Sequence, residues 1–89
     1  MASYKDTLFE FPCEFPLKVM GKAEDTLAQV VLEIVTRHAP DFDGARMEMR
    51  ASSGGNYLSF TCTIIATSKP QLDALYIELT SHPLVKIAL

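Results

Sequence analysis

Ser52-Ser53-Gly54-Gly55-Asn56-Tyr57 is the stretch on which the fold turns. Two glycines, an asparagine and two serines supply the positive dihedrals and local hydrogen bonds of a tight reversal. On both sides of it the apolar pattern has period two. Before it, Ala45, Met47, Met49 and Ala51 alternate with Arg46, Glu48 and Arg50; after it, Leu58, Phe60, Cys62, Ile64 and Ala66 alternate with Ser59, Thr61, Thr63, Ile65 and Thr67. Successive strand residues point to opposite faces, so the two runs read as a hairpin with one core face and one wet face. Met47 and Met49 are expected to fill the core rather than line a binding groove.

Upstream, Leu27, Val30, Val31, Ile34 and His38 recur at helical spacing. Asp25 or Thr26 is placed to cap that helix, Arg37 and His38 suit its negative end, and Pro40 stops it. Ahead of it Phe15, Leu17 and Val19 alternate with Pro16, Lys18 and Met20, a strand over 15–20 that Gly21 ends. Downstream, Ser68-Lys69-Pro70-Gln71 reads as a capping box opening a helix with an apolar stripe of Leu72, Leu75, Tyr76 and Leu79. His82-Pro83 then breaks the chain before a last strand over 84–89. There Val85, Ile87 and Leu89 are predicted to face the core and Lys86 to face away.

Strand, helix, strand, strand, helix, strand predicts an α+β, ferredoxin-like βαββαβ sandwich. Right-handed crossovers give a four-stranded antiparallel sheet in the order 4-1-3-2, with two helices on one face. Residues 15–89 are expected to form the single ferredoxin-like domain, and residues 1–14 an amino-terminal extension packing on it. The chain has 89 residues, 48% of them hydrophobic, enough to bury a core without staples. Its 8 basic and 11 acidic side chains leave a net charge of -3, which exerts no pull on nucleic acid or anionic lipid. No run approaches the roughly 20 apolar residues of a membrane span, and the start lacks a basic segment leading into an apolar one. A cytoplasmic protein with no membrane or nucleic-acid partner is expected. Cys13 and Cys62 accordingly read as reduced thiols.

Lys18-Val19-Met20-Gly21, Arg37-His38-Ala39-Pro40, Ser52-Ser53 with Gly55-Asn56-Tyr57, and Leu75-Tyr76 with Glu78-Leu79 carry a resemblance. Across about Phe9 to Leu89 the chain resembles the YbeD family of small bacterial proteins of unassigned function. The resemblance implies a ferredoxin-like fold similar to ACT-type regulatory domains, a regulatory role, and a link to lipoate metabolism through neighbouring genes for lipoate attachment. It implies no enzymatic role. Where relatives have a lysine between the serine pair and Gly-Asn-Tyr, this chain has Gly54.

Measured against the chemistries this architecture hosts, the residues exclude several. Soft-metal sites need C-x-x-C after the first strand, and Met20-Gly21-Lys22-Ala23-Glu24-Asp25 has no thiol. A phosphate cradle at the first helix would meet the carboxylates of Glu24 and Asp25. Base-stacking aromatics are missing from the outward positions of the central strands apart from Tyr57 at the rim. Asp41 and Asp43 beside Gly44 offer too few oxygens for calcium and read as turn formers. His38 and His82 have no triad partner by sequence and read as helix-end and turn residues. No catalytic residue, metal or cofactor is expected. An enzyme would need a site assembled between subunits.

Two binding surfaces remain. Lys18, Arg46, Arg50 and Lys86 oppose Glu48 on the wet face, with Tyr57 at its rim, and form a candidate contact for a protein partner or a second copy. The bland alternative is an ordinary solvated sheet face. Met20, Gly21, Lys22, Glu24 and Asp25 form a candidate site for a small metabolite, an amino acid or carboxylate, because glycine lets backbone approach a ligand closely. The bland alternative is that Gly21 merely turns strand into helix. The leading expectation is a non-enzymatic regulatory or adaptor domain acting through the open sheet face or an edge strand. The alternative is an ACT-like sensor of a small ligand.

Overall fold

The computed structural model describes residues 10–89. The extension expected over 1–14 falls largely on residues 1–9, outside the described residues. The elements run β1 (Cys13–Lys22), α1 (Leu27–His38), a short 3-10 turn (Gly44–Arg46), β2 (Glu48–Ala51), β3 (Tyr57–Ala66), α2 (Lys69–Ser81) and β4 (Val85–Ala88). The four strands form one antiparallel sheet in the order β2-β3-β1-β4, the ferredoxin-like arrangement that the pattern predicts.

β1 and β3 pair over ten residues, from Cys13 with Ala66 to Lys22 with Tyr57. This ladder is the spine of the domain. Its core-side residues Leu17, Val19, Phe60, Cys62, Ile64 and Ala66 are all buried against Leu27, Val31, Ile34 and Val35 of α1 and Leu72, Leu75 and Leu79 of α2. Burying one such side chain contributes about 1.5–3 kcal/mol, so this layer dominates the stability. Tyr76 adds an edge-to-face contact with Phe15, the ring centroids 6.4 Å apart at 89°. Burial holds the Tyr76 phenol above its ordinary pKa.

At the hairpin, Gly55 adopts φ 74°, a conformation glycine reaches without penalty, and its amide donates to Ser52 O at 2.9 Å. The α2 start is capped as expected at Ser68, whose hydroxyl accepts from the Gln71 amide at 3.2 Å. The Gln71 side chain reaches back one residue past Ser68, so only the Ser68 half of the expected box is formed. Its Oε1 accepts from the Thr67 amide at 2.7 Å while its Nε2 donates to His38 O at 2.9 Å, tying the end of α1 to the start of α2. Glu78 of α2 makes a second tie, meeting His38 Nε2 at 2.6 Å and pairing with Arg37.

Four expectations need correction. β1 extends beyond 15–20 in both directions, and Gly21 pairs with Leu58 and Val85 inside the strand. Thr26 stands at the start of α1 in helical conformation, and its side chain makes no capping hydrogen bond among the described residues. Residues 44–46 coil into a 3-10 turn in place of strand, with Asp43 accepting from the Ala45 amide at 3.0 Å. At the carboxyl end, Met20 pairs with Ile87 but Gly21 pairs with Val85, so Lys86 is an extra residue in β4. A bulge of one residue reverses the parity of everything after it. Ile87 therefore shares the face of Met20, and Leu89, which exchanges backbone hydrogen bonds with Lys18, shares that of Lys18. Neither faces the core.

Candidate functional site

The sheet face opposite the helices is built by the even-numbered residues of β1 and the odd-numbered residues of β3. The register lays it out in rows. One row runs Arg50, Ser59, Met20, Ile87. The next runs Glu48, Thr61, Lys18, Leu89. Lys22 lies beside Tyr57 at one end, and Glu14 beside Ile65 at the other.

Among the described residues eight large hydrophobic side chains are exposed, and five of them, Met20, Tyr57, Ile65, Ile87 and Leu89, stand on this one face. Exposure reaches 39% at Met20, 47% at Ile87 and 70% at Leu89. A strand face that is merely solvated carries polar residues at such positions. Here Met20, Ile87 and Leu89 form an apolar corner beside Lys18 in the register. Met and Tyr beside Arg is a composition found at the centres of protein interfaces.

The structure gathers only part of the expected charge cluster. Lys18, Glu48 and Arg50 line one shallow hollow of about 330 Å³ together with Ser59 and Thr61. Arg50 also borders Met20 and Tyr57. Arg46, lifted out of the strand by the 3-10 turn, lies instead near Glu14, Asp41 and Asp43. Lys86 stands on the opposite edge of the sheet. The alternation of charges could not reveal either displacement, nor the arrival of Ile87 and Leu89. The bulge has no sequence mark beyond the run of apolar residues after Lys86.

The loop after β1 is tied by its own backbone: the amides of Lys22, Ala23 and Leu27 donate to Leu84 O, Asn56 O and Glu24 O at 3.1, 3.0 and 3.1 Å. Lys22, Glu24 and Asp25 are exposed there, and Gly21 is buried. A Cβ on Gly21 would run into the Leu84 carbonyl oxygen and come within 3.1 Å of Leu27 Cδ2. The room beside this glycine is therefore filled by the protein itself, and close packing accounts for the residue. His82 uses Nδ1 to accept from the Leu84 amide at 3.1 Å, shaping the turn into β4. Cys62 is fully buried, and burial pushes its thiol up to about 11, so it stays protonated and unreactive at neutral pH. Among the described residues no group of three or more His, Cys, Asp or Glu side chains converges as a metal site would require.

The family follows from comparison with known proteins. Residues 6–89 match the family described as "Protein of unknown function (DUF493)". The chain belongs to this family, which is also that of YbeD. UPF0250 protein RSc0326 of Ralstonia nicotianae is 52% identical over 85 residues, covering 96% of this chain and 88% of that protein. UPF0250 protein NE1487 of Nitrosomonas europaea is 52% identical over 85 residues, covering 96% and 98%. The solution structure of protein HP0495 from H. pylori superposes with a TM-score of 0.76 at 16% identity, over 97% of this chain and 90% of that one. It shows the shared fold. No helix among the described residues is long and apolar enough to cross a membrane.

Proposed function

We propose that this DUF493 protein is a non-enzymatic regulatory or adaptor domain that docks a protein partner on its open sheet face. The observation that carries the reading is the apolar corner of Met20, Ile87 and Leu89 set beside Lys18 and bordered by Arg50. Leaving three such side chains in water has a free-energy cost that a partner's apolar residues would relieve. The cations beside them select a partner that brings carboxylates to the rim, which raises the association rate and fixes orientation.

The test compares two baits. Wild type and the double variant Ile87→Glu/Leu89→Glu are immobilised and exposed to extract of the source bacterium. Both altered side chains are exposed, so the variant should melt within about 4 °C of wild type. A protein retained by wild type, absent from the variant and weakened by Lys18→Glu supports the reading. Equal retention on both baits, or none on wild type, removes it.

A further inference from the structure

The outer edge of the sheet carries a charge pattern, Glu48-Met49-Arg50, that is complementary to its own reverse. Among the described residues β2 has a strand neighbour, β3, on one side only. The ladder fixes which of its backbone groups are free. Lys18 exchanges hydrogen bonds with Leu89, so the even-numbered residues of β1 bond toward β4 and the odd-numbered ones toward β3. On β3 it follows that Phe60 and Cys62 bond to β1, while Ser59 and Thr61 bond to Arg50 and Glu48. The Ser52 amide donating to Tyr57 O at 2.9 Å has the same parity. The amides and carbonyls of Met49 and Ala51 consequently point out of the sheet, a template for another strand.

We infer that this template pairs with β2 of a second copy, antiparallel, in the single register that sets Met49 against the partner's Met49. Parity allows outward-bonding residues to meet only outward-bonding residues, so the usable registers differ by steps of two. One step to one side places Arg50 opposite the partner's Arg50. One step to the other places Glu48 opposite the partner's Glu48. Like charges directly across an antiparallel pair oppose it. The central register alone sets Glu48 against the partner's Arg50, and Arg50 against the partner's Glu48, while Met47 meets the partner's Ala51. A twofold axis makes both ion pairs identical and doubles their weight. On the helix side of the sheet the same register joins the two Met49 side chains, each 60% exposed in the single chain. The charges that discourage edge pairing in the wrong registers thus specify the right one. Pairing in this way does not rest on the open-face contact, and it extends that face into a continuous eight-stranded sheet.

A ladder this short buries modest area, so the dimer belongs in the range of about 1 μM to 1 mM. Sedimentation equilibrium on wild type, Glu48→Arg, Arg50→Glu and the double variant Glu48→Arg/Arg50→Glu tests it. Both substituted positions are exposed, and circular dichroism checks that each variant folds. Wild type should dimerise, and each single variant should associate about 10- to 100-fold more weakly, because two attractive pairs become two repulsive ones. The double variant should regain the wild-type constant, and an equimolar mixture of the two single variants should form the heterodimer that neither forms alone. Wild type remaining at 9.9 kDa up to about 1 mM overturns the proposal, as does undiminished association of Glu48→Arg or failure of the mixture to associate. The variant Ile87→Glu/Leu89→Glu should dimerise normally, which separates this contact from partner docking.

Discussion

Replacing Gly21 with alanine should destabilise the domain by about 2 kcal/mol, although the residue lies in a strand where alanine is ordinarily preferred to glycine. The backbone there has no positive φ, so the substitution by itself restricts the unfolded chain and should add about 0.4–1 kcal/mol of stability. Against that stands the space. The new Cβ meets the Leu84 carbonyl oxygen and sits 3.1 and 3.2 Å from the two Leu27 methyls. The leucine can yield by a few tenths of an ångström. The carbonyl cannot, because it accepts from the Lys22 amide at 3.1 Å and belongs to the turn that feeds β4. Overpacking of this kind costs about 1–3 kcal/mol, and loss of the Lys22 bond adds about 1. The clash outweighs the entropy gain. In a domain of this size, 2 kcal/mol lowers the melting temperature by roughly 8–16 °C. Equilibrium urea unfolding followed by circular dichroism should show a lower midpoint at unchanged slope. An alanine variant as stable as wild type would mean that the Leu84 carbonyl does not crowd this position. A variant of full stability that lost binding of a small metabolite would return Gly21 to the role of a ligand-approach residue.

Two further predictions concern single groups. Between pH 9, where the unfolded Cys62 thiol ionises, and about 11, where the folded one does, the unfolded state holds fewer protons. Stability should therefore fall with rising pH across that window, by up to about 1.4 kcal/mol per unit, and urea midpoints of Cys62→Ala should lack this increment of slope. Ser68→Ala should cost about 1 kcal/mol by leaving the Gln71 amide without its acceptor; calorimetry showing no change in melting temperature would contradict the cap.

The fold was legible because β1 and β3 are long and central. Ten paired residues with strict alternation from Leu58 to Ala66 leave one register that buries Phe60, Cys62 and Ile64 together. The edges were less legible for physical reasons. Met49 follows the alternation and does point to the helix side, yet it stays exposed, since burial needs a helix overhead and a strand pattern says nothing about how far the helix layer reaches. Ile87 and Leu89 alternate correctly from Val85, but one unpaired residue shifts them to the other face. Arg46 carried the right charge at the right spacing and was removed from the cluster by a turn that Asp43 nucleates. The candidate site was thus half visible: Lys18, Glu48, Arg50 and Tyr57 could be read from alternation, whereas its apolar corner depends on a count of residues between Gly21 and the chain end.

The strand order has a consequence for how the domain comes apart. β1 from the first half of the chain lies between β3 and β4 from the second, and β3 lies between β1 and β2. Each half thus contributes the middle of the other's sheet, and neither owns a complete hydrogen-bonded layer. No fragment can open while the rest persists as a stable remnant, so the protein should have one melting unit, and the amides of β1 and β3 should exchange with solvent only when the whole molecule unravels.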